Sequence, residues 1–305
     1  MIHTYVKKLI ENLPEDITQK KKPLVLDLVL DGGVFNGSYL VGALYFLKEM
    51  EKLKYVTIER ISGCSISSFI GLLYFLDDLD CLNELNAIIL QDFKANFLFN
   101  KIKIILETTI KNKMPDDICD KINKRLFITY NNIYSKKIIK STYKNKDDII
   151  ETILKSCFIP FCINGEMTYK NKYIDGFNPY IFKQCGHKKI LYLDLFGYDK
   201  IANLFNVKNE KSIFSRLLSG LLDVHNFFIK QTATTMCSYV NDWSLSDKFK
   251  CNVKLIAETV ILYFIKIMVY MKHAFKIDTN NSLICKILSK VIFDIYSILL
   301  ENYCL

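Results

Sequence analysis

The sequence predicts a fold of the α/β class. Two apolar runs, Leu24–Leu30 and Val56–Ile61, have the composition of β-strands, and a single residue separates the end of each from a glycine. Between them, Ser38–Leu53 carries apolar residues at helical spacing, so the three segments predict a βαβ unit. Strand and helix patterns go on alternating as far as Phe196, which is typical of α/β proteins.

The other elements follow in order along the chain. The first strand is nearly all aliphatic, as expected of a parallel strand that is covered on both faces. Ile66–Leu76 is apolar almost all round and predicts a buried helix, and residues 82–125 have a charged helical pattern broken at Pro115. Further predictions are a hairpin over Leu126–Tyr143, a helix over Asp147–Cys157, a short hairpin over Met167–Ile174, a strand over Ile190–Phe196 and helix throughout from Ser212.

The elements divide the chain into three predicted parts. Residues 1–22 are polar and lysine-rich and form an N-terminal helical segment. Residues 23–204 hold the predicted strands, and residues 205–305 form a helical C-terminal region that we expect to pack on them. No internal repeat or low-complexity linker interrupts the 305 residues, half of which are apolar, so a sizeable core can form.

Charge and cysteine usage argue against several classes of function. The net charge of +9 comes from lysines spread along the chain without an arginine-rich tract, so we expect no nucleic-acid partner, whereas contact with an anionic lipid surface is compatible. Ten cysteines without a CxxC pair and only four histidines predict no metal site. The N-terminus lacks the apolar core of a secretory signal, so we expect an intracellular, cytoplasmic protein with reduced thiols.

Two apolar stretches near the C-terminus raise the question of a membrane. Val253–Met271 is long enough to span, but Lys254, Glu258 and Lys266 interrupt it within one sector of about 120°. Leu283–Leu299 is likewise apolar on one side and charged on the other. Because a charge at mid-helix costs about 3 kcal/mol in a bilayer, we expect helices that cover the core, with reversible docking on anionic membranes as the alternative.

A serine turn follows the second strand. Residues 63–67 (GCSIS) place Ser65 between a strand and a helix with small neighbours, as in a nucleophile elbow. The helix that begins at Ile66 would direct its free N–H groups toward a developing oxyanion. The alternative is an ordinary tight turn. We expect Cys64 to pack rather than react.

A glycine turn, residues 31–37 (DGGVFNG), follows the first strand. It could bind a phosphate or an oxyanion. It lacks the Gly-Lys-Ser/Thr ending of a Walker loop, and the second strand ends in Ser62-Gly63 instead of an acidic ribose-binding residue. We therefore favour an oxyanion hole, with Gly32, Gly33 and Val34 as the predicted donors.

Asp175 is the candidate base for the serine. It follows a predicted strand within residues 173–179 (YIDGFNP), and a partly desolvated carboxylate can accept a hydroxyl proton directly. An ordinary hairpin-type turn at Asp175-Gly176 is the alternative. None of the later histidines lies in a glycine-marked turn at a strand end; they are His187, His225 and His273.

Together these segments resemble the patatin-like phospholipase family. The family pattern runs Asp-Gly-Gly-Gly-x-Arg/Lys-Gly, then Gly-x-Ser-x-Gly, then Ala-Ser-x-x-x-Pro, then Asp-Gly-Gly/Ala. The counterparts here are DGGVFNG at 31–37, GCSIS at 63–67, KSCFIPF at 155–161 and DGFNP at 175–179. The resemblance covers about residues 20–200, and its motif residues include Gly37, Gly63, Ser67 and Gly176.

The resemblance implies a three-layer α/β/α patatin-like domain with a helical C-terminal extension. It also implies a dyad of Ser65 and Asp175 that works through an acyl-serine intermediate without a metal or organic cofactor. The implied substrates are phospholipids or neutral lipids, cleaved by phospholipase A-type, lysophospholipase or acylglycerol esterase activity. The oligomeric state is not predicted.

This chain departs from the family pattern at four positions, which are Val34, Asn36, Ser67 and Phe177. Valine keeps its backbone N–H as a donor provided that φ stays negative, and serine is small enough for close packing. Since this chain retains the serine and the aspartate of the family pattern as Ser65 and Asp175, we expect an active or weakly active hydrolase. Two alternatives are a catalytically silent lipid-binding or scaffold protein and a Ser-His-Asp hydrolase with His225 or His273 as base; the latter is disfavoured because its serine normally follows more strands.

Overall fold

A computed structural model describes residues 2–274 apart from 20, 97, 136, 185, 198–199, 201–202 and 205–212. Beyond 274 it describes residues 287, 290, 291, 294, 295, 297, 298 and 301. Most of the predicted helix over Leu283–Leu299 therefore lies outside the described residues, and so does the side chain of His273.

Within the described part of the chain, seven strands form one mixed sheet in the order β4-β3-β2-β1-β6-β7, with β5 paired to β3. They are β1 (Leu24–Leu30), β2 (Val56–Cys64), β3 (Leu126–Asn132), β4 (Lys137–Lys140), β5 (Tyr173–Ile174), β6 (Lys189–Leu193) and β7 (Cys237–Tyr239). Strands β1, β2, β3 and β6 are mutually parallel, and the others pair antiparallel. The carboxyl ends of the four parallel strands therefore meet along one edge of the sheet.

Helices flank this sheet, which confirms the predicted α/β class and the three-layer arrangement. They are α1 (Ile2–Glu11), α2 (Glu15–Thr18), α3 (Gly37–Lys52), α4 (Ile66–Phe75), α5 (Cys81–Asn96), α6 (Lys101–Ile104), α7 (Lys111–Lys113), α8 (Ile118–Ile122), α9 (Lys146–Ser156), α10 (Phe214–Lys230) and α11 (Leu245–Ala274). A π-helical segment, Ile105–Ile110, joins α6 to α7.

Strand β1 is covered on both faces, as its aliphatic sequence predicts. Leu26, Leu28 and Leu30 lie in the large core beneath the helices. Val29 points the other way, into a smaller cluster with Phe182 and Tyr192. The successive side chains of one strand thus fill two separate cores.

Helices α3 and α10 pack with their backbones in contact. A Cβ atom at Gly42 would lie 1.9 Å from the carbonyl oxygen of Leu217, and one at Gly220 would lie 1.9 Å from that of Tyr39. Only glycine fits at either position. Helix α10, which belongs to the predicted C-terminal region, therefore contributes to the same core as α3.

The structure corrects two sequence predictions of secondary structure. The chain after Ser212 is not wholly helical, because Cys237–Tyr239 pairs with β6 as β7. A strand of three residues is too short to show alternating hydrophobicity. The predicted hairpin over Met167–Ile174 reduces to a single bridge between Tyr169 and Tyr173, because β5 pairs mainly with β3.

Helix α11 lies along the carboxyl edge of the sheet and packs by its charged side. Lys254 and Glu258 point inward, whereas Phe249, Ile256 and Tyr263 face solvent. The prediction that the apolar side of this helix covers the core was therefore wrong, because the two charged side chains find partners at the sheet edge. None of the described helices has the length and apolar character that crossing a membrane requires.

Candidate active site

Ser65 occupies a strained turn between β2 and α4. Its φ of 53° and ψ of −135° are rarely adopted by a residue with a side chain, and strain of this kind clusters at functional sites. The side chain is buried at the carboxyl edge of the sheet. The structure therefore holds Ser65 in the type of turn that the sequence predicts.

Ser67, which stands where the family pattern has glycine, stabilises this turn. Its Oγ accepts the N–H of Cys64 at 2.9 Å. Its hydroxyl lies 2.7 Å from the carbonyl of Cys64 and 2.9 Å from that of Leu30, so its proton is shared between them. The substitution replaces a small residue by one that ties the turn to the end of β1.

Ser156 holds the backbone of Ser65 from the other side. The N–H of Ser65 donates to Ser156 Oγ at 2.9 Å, and the Ser156 hydroxyl donates to the carbonyl of Thr129 at 2.7 Å. This pair of bonds links the turn, α9 and β3. The sequence identified the segment 155–161 as a motif but assigned no role to Ser156.

Asp175 follows β5 and is buried at the same edge. Its N–H donates to the carbonyl of Phe158 at 2.9 Å, and its own carbonyl accepts from Asn131 Nδ2 at 3.0 Å. Oδ1 accepts the N–H of Phe177 at 2.8 Å. Oδ2 is buried and makes no hydrogen bond of normal geometry with any residue described.

The environment of Asp175 makes its carboxyl a stronger base. Burial raises its pKa to about 7, while the nearby hydroxyl of Ser65 and the N–H of Phe177 act to lower the pKa. Glu258 raises the pKa of Asp175 and Lys137 lowers it. The structure thus brings together the two residues that the sequence proposed as nucleophile and base, with a carboxyl that titrates near neutrality.

The motif glycines stand where neighbouring chains approach closely. A Cβ atom at Gly176 would lie 2.1 Å from the carbonyl oxygen of Thr129, and one at Gly63 would lie 2.8 Å from the backbone of Ser67. At Gly37 it would lie 2.9 Å from Ile66 Cγ1. These glycines allow β3, the serine turn and the glycine turn to meet.

The glycine turn lies directly against Ser65, but its donors differ from the prediction. A Cβ atom at Gly32 would lie 3.4 Å from Cβ of Ser65. The N–H of Gly32 donates to Asp31 Oδ1 at 3.1 Å, so this predicted oxyanion donor is already bonded. The N–H groups of Gly33 and Val34 have no acceptor among the described residues.

Val34 adopts a conformation that the sequence analysis did not anticipate. Its φ is +41°, in a region that β-branched residues rarely occupy. The condition that φ stays negative is therefore not met, and the turn stores strain at this residue. A glycine, as in the family pattern, would adopt this φ without steric cost.

Asn36 replaces the basic residue of the family pattern, yet a cation still reaches this position. Arg216 Nη1 on α10 donates to Asn36 Oδ1 at 2.9 Å. Asn36 Nδ2 donates to the carbonyls of Leu195 and Lys200 at 3.2 and 2.9 Å. The charge that Asn36 lacks is thus supplied by a residue about 180 positions later in the chain.

A second cation approaches the start of the glycine turn. Lys254 Nζ lies 2.7 Å from Asp31 Oδ2 and 2.8 Å from Asp194 Oδ1, so one lysine of α11 joins the ends of β1 and β6. Burial raises the pKa of Asp31 to about 6, and the Lys254 charge counteracts this rise.

Glu258, one helical turn further along α11, reaches the loop that carries Asp175. Its carboxylate accepts from Asn131 Nδ2, Asn178 Nδ2 and Lys137 Nζ, each at 2.8 Å. The sequence assigned a role to neither Lys254 nor Glu258. The signal that could have identified them is two opposite charges four residues apart within a largely apolar stretch of the helix.

His187, His225 and Cys64 contribute little to this site. His225 is buried against Phe46, where burial lowers its pKa, and His187 is exposed; neither bonds to Ser65 or Asp175. Burial raises the pKa of Cys64 well above its usual value, so its thiol stays protonated. Among the described residues, no group of three or more His, Cys, Asp or Glu side chains is arranged to hold a metal ion.

A mostly apolar groove opens beside Ser65 and encloses a cavity of about 50 Å³. Apart from Ser65 and Asn86, its lining is aliphatic, aromatic or thiol. The other lining residues are Val34, Phe35, Ile66, Ile89, Phe99, Ile102, Cys157, Ile159 and Ile163.

Comparison with known proteins agrees with this geometry. Residues 28–177 match the family model described as Patatin-like phospholipase, a range that includes the glycine turn, Ser65 and Asp175. No curated protein and no solved structure matches the chain significantly. Residues 28–177 are therefore the part of the chain that matches the patatin-like phospholipase family.

Proposed function

We propose that this protein hydrolyses carboxylic esters of lipids, with Ser65 as nucleophile and Asp175 as base. The observation that carries the proposal is the buried carboxyl of Asp175 next to the Ser65 hydroxyl. Its pKa is raised to about 7, and its Oδ2 makes no hydrogen bond of normal geometry with a described residue. A base poised near neutrality can take the serine proton and later return it. The strained serine turn and the adjoining glycine turn agree with this assignment.

In the proposed reaction, Ser65 Oγ attacks the acyl carbon while Asp175 takes the hydroxyl proton. Backbone N–H groups of Gly33, Val34 and Ile66 are the donors available to the developing oxyanion. Collapse of the intermediate breaks the ester C–O bond, and Asp175 returns the proton to the leaving alcohol. Asp175 then deprotonates a water molecule, which attacks the acyl carbon. The bond between this carbon and Ser65 Oγ breaks, Asp175 returns the proton to Ser65 Oγ, and the fatty acid is released.

The groove beside Ser65 suits an acyl chain, because its lining is nearly all apolar. We propose phospholipids or neutral lipids as substrates, cleaved by phospholipase A-type, lysophospholipase or acylglycerol esterase activity. An intracellular protein in peripheral contact with anionic membranes remains our prediction for where it acts.

The competing proposal is a catalytically weak or silent lipid-binding protein of the same fold. The positive φ of Val34 favours it, because strain at a donor of the oxyanion turn can misplace the N–H. The two proposals differ in turnover, although both include lipid binding.

The test is hydrolysis of a panel of phospholipid, lysophospholipid, acylglycerol and p-nitrophenyl butyrate substrates by the full chain. We expect turnover of at least one ester and covalent labelling of Ser65 by a fluorophosphonate probe. Ser65→Ala and Asp175→Asn should each lower activity by about 10³-fold or more, whereas Ser135→Ala, in an exposed turn, should not. A folded protein that turns over no substrate and is not labelled would favour the silent lipid-binding protein.

A further inference from the structure

The outward side of α11 is an apolar surface that no other described residue covers. We define it as the α11 face, made up of Phe249, Ile256, Val260, Tyr263, Phe264 and Tyr270, which are between 62% and 73% exposed. At about 100° per residue, these six side chains fall within a sector of about 120°. Contiguous apolar surface of this extent marks an interaction site on a soluble protein.

The opposite side of the same helix attaches it to the protein. Lys254 and Glu258 make the ion pairs and hydrogen bonds described above, and Ile265 and Val269 pack in a small cluster with Ile174. The inward side therefore holds the helix in place, and the α11 face is left for a partner.

The charges on α11 are sorted between the two sides. On the helical projection, Lys248 and Lys266 border the α11 face on one flank and Lys250 borders it on the other. The acidic residues Asp247 and Glu258 both fall on the inward half. An apolar face whose bordering charges are all lysines is complementary to a surface with negative groups above an apolar interior.

We propose that the α11 face docks on the surface of an anionic lipid bilayer. Aromatic and aliphatic side chains would enter the boundary between headgroups and acyl chains, and the flanking lysines would extend to anionic headgroups. This proposal rests on the proposed function in one respect, since a lipid ester is the substrate that such docking would bring to Ser65.

The described residues of the C-terminal stretch Leu283–Leu299 are not the partner that binds the α11 face. Its apolar positions Ile287, Val291, Ile295 and Ile298 are themselves about half exposed. The side chains of the α11 face are at least 62% exposed, so these residues do not cover it.

The position of α11 connects docking with the candidate active site. Glu258 on its inward side bonds to Asn131 Nδ2, and the same amide bonds to the carbonyl of Asp175. Lys254 bonds to Asp31, at the start of the glycine turn. A bilayer bound to the α11 face would therefore lie on the far side of this helix from the sheet edge that carries Ser65 and Asp175, one helix diameter (~10 Å) away.

The test is co-sedimentation of the full chain with vesicles of phosphatidylcholine alone or with 30% phosphatidylserine, at low and high salt. We expect binding to the anionic vesicles that weakens with salt, because the lysine contribution is screened. The triple variant Ile256→Gln, Val260→Gln, Phe264→Gln should lower the partition coefficient by at least tenfold. Since all three side chains are exposed, the variant should keep its fold.

A matched control changes exposed apolar residues elsewhere: Leu53→Gln with Tyr134→Gln should bind like the wild type. Lys248→Gln with Lys250→Gln and Lys266→Gln should remove the preference for phosphatidylserine. Hydrolysis of p-nitrophenyl butyrate, a soluble ester, should change less than twofold in the glutamine triple variant. Hydrolysis of vesicle lipid should fall with the partition coefficient.

Three outcomes would overturn the docking proposal. The first is a wild-type protein that binds no anionic vesicles at low salt. The second is a triple variant that binds vesicles as well as the wild type. The third is a wild-type protein that light scattering shows to be a dimer, and a triple variant that is a monomer. The last would assign the α11 face to a second copy of the chain. Vesicle binding by a protein without esterase activity would leave docking intact while refuting the proposed function.

Discussion

The ammonium group of Lys254 lies 2.7 Å from the carboxylate of Asp31, although 223 positions separate the two residues. Asp31 is fully buried and opens the glycine turn, and its other oxygen accepts the N–H of Gly32. A helix outside the region matched by the family model thus neutralises a charge inside the candidate active site.

Replacing Lys254 by an uncharged residue should lower both the free energy of unfolding and the rate of ester hydrolysis. Lys254→Met leaves Asp31 and Asp194 without their shared partner, and loss of one member of a buried pair costs about 3–5 kcal/mol. Because Lys254 now lowers the pKa of Asp31, the variant should raise that pKa above about 6. Urea unfolding and ester hydrolysis measure the two effects; Lys230→Met, an exposed residue at the end of α10, is the control. A Lys254→Met protein as stable and active as the wild type would contradict the role of this ion pair.

Ester hydrolysis should depend on pH through Asp175. The proposed base acts only when deprotonated, and its pKa is raised to about 7 by burial. We expect kcat/KM for a soluble ester to rise about tenfold per pH unit below 7 and to level off above it. A profile that is flat between pH 5 and 7 would exclude Asp175 as the base.

The free energy of unfolding should decrease with rising pH over the same pH range in which the rate of hydrolysis increases. The pKa of Asp175 is higher in the folded state than its ordinary value of 3.8, so the folded protein retains a proton that the unfolded chain has lost between about pH 4 and 7. The free energy of unfolding should therefore fall by a few kcal/mol as pH rises through this window. Urea midpoints at pH 5 and 8 should show a smaller decrease for Asp175→Asn than for the wild type. An equal decrease would mean that other groups cause it.

Ser156 should act as a positioning residue for the nucleophile. Ser156→Ala removes the acceptor of the buried Ser65 N–H, which costs about 1–3 kcal/mol of stability. We also expect a lower kcat with little change in KM, because the turn would shift while the groove remains. Ser156→Thr, which keeps the hydroxyl, should restore part of the activity. Loss of stability without any change in kcat would leave Ser156 with a purely structural role.

Val34→Gly should relieve strain in the oxyanion turn. At φ of +41°, glycine avoids a steric cost of about 1–2 kcal/mol that valine and alanine both carry. We therefore expect Val34→Gly to be more stable than Val34→Ala by about 1 kcal/mol in urea unfolding, with kcat at least equal to that of the wild type. If the alanine variant were the more stable of the two, the backbone would not be strained at this position.

The sequence predicted the central part of the fold because its signals are local. Leu24–Leu30 and Val56–Ile61 are apolar runs that end at glycine, and such patterns need no knowledge of distant residues. The pairing of Ser65 with Asp175 came from the resemblance of the motifs to the family pattern and not from strand topology, since β5 runs antiparallel to β3. The structure brings the two residues together at the carboxyl edge of the sheet.

The orientation of α11 and the conformation of Val34 depend on contacts between residues that are far apart in the sequence. An amphipathic pattern over Val253–Met271 shows that the helix has two different sides, but it does not show which side the protein uses. That choice depends on Asp31 and Asn131, which lie far away along the chain and offer partners to Lys254 and Glu258. The positive φ of Val34 likewise depends on how its turn packs and cannot be read from residue type.

The contact between α3 and α10 makes the unfolding of these two helices cooperative. At Gly42 and Gly220 the two backbones touch without intervening side chains, so neither helix can separate slightly without losing the whole interface. A chain ending at residue 177 would lack α10, β6 and β7 and would expose the glycine-containing side of α3 to water. The segment matched by the family model is therefore a unit of sequence similarity, whereas we expect the unit that unfolds in a single transition to extend at least to residue 239.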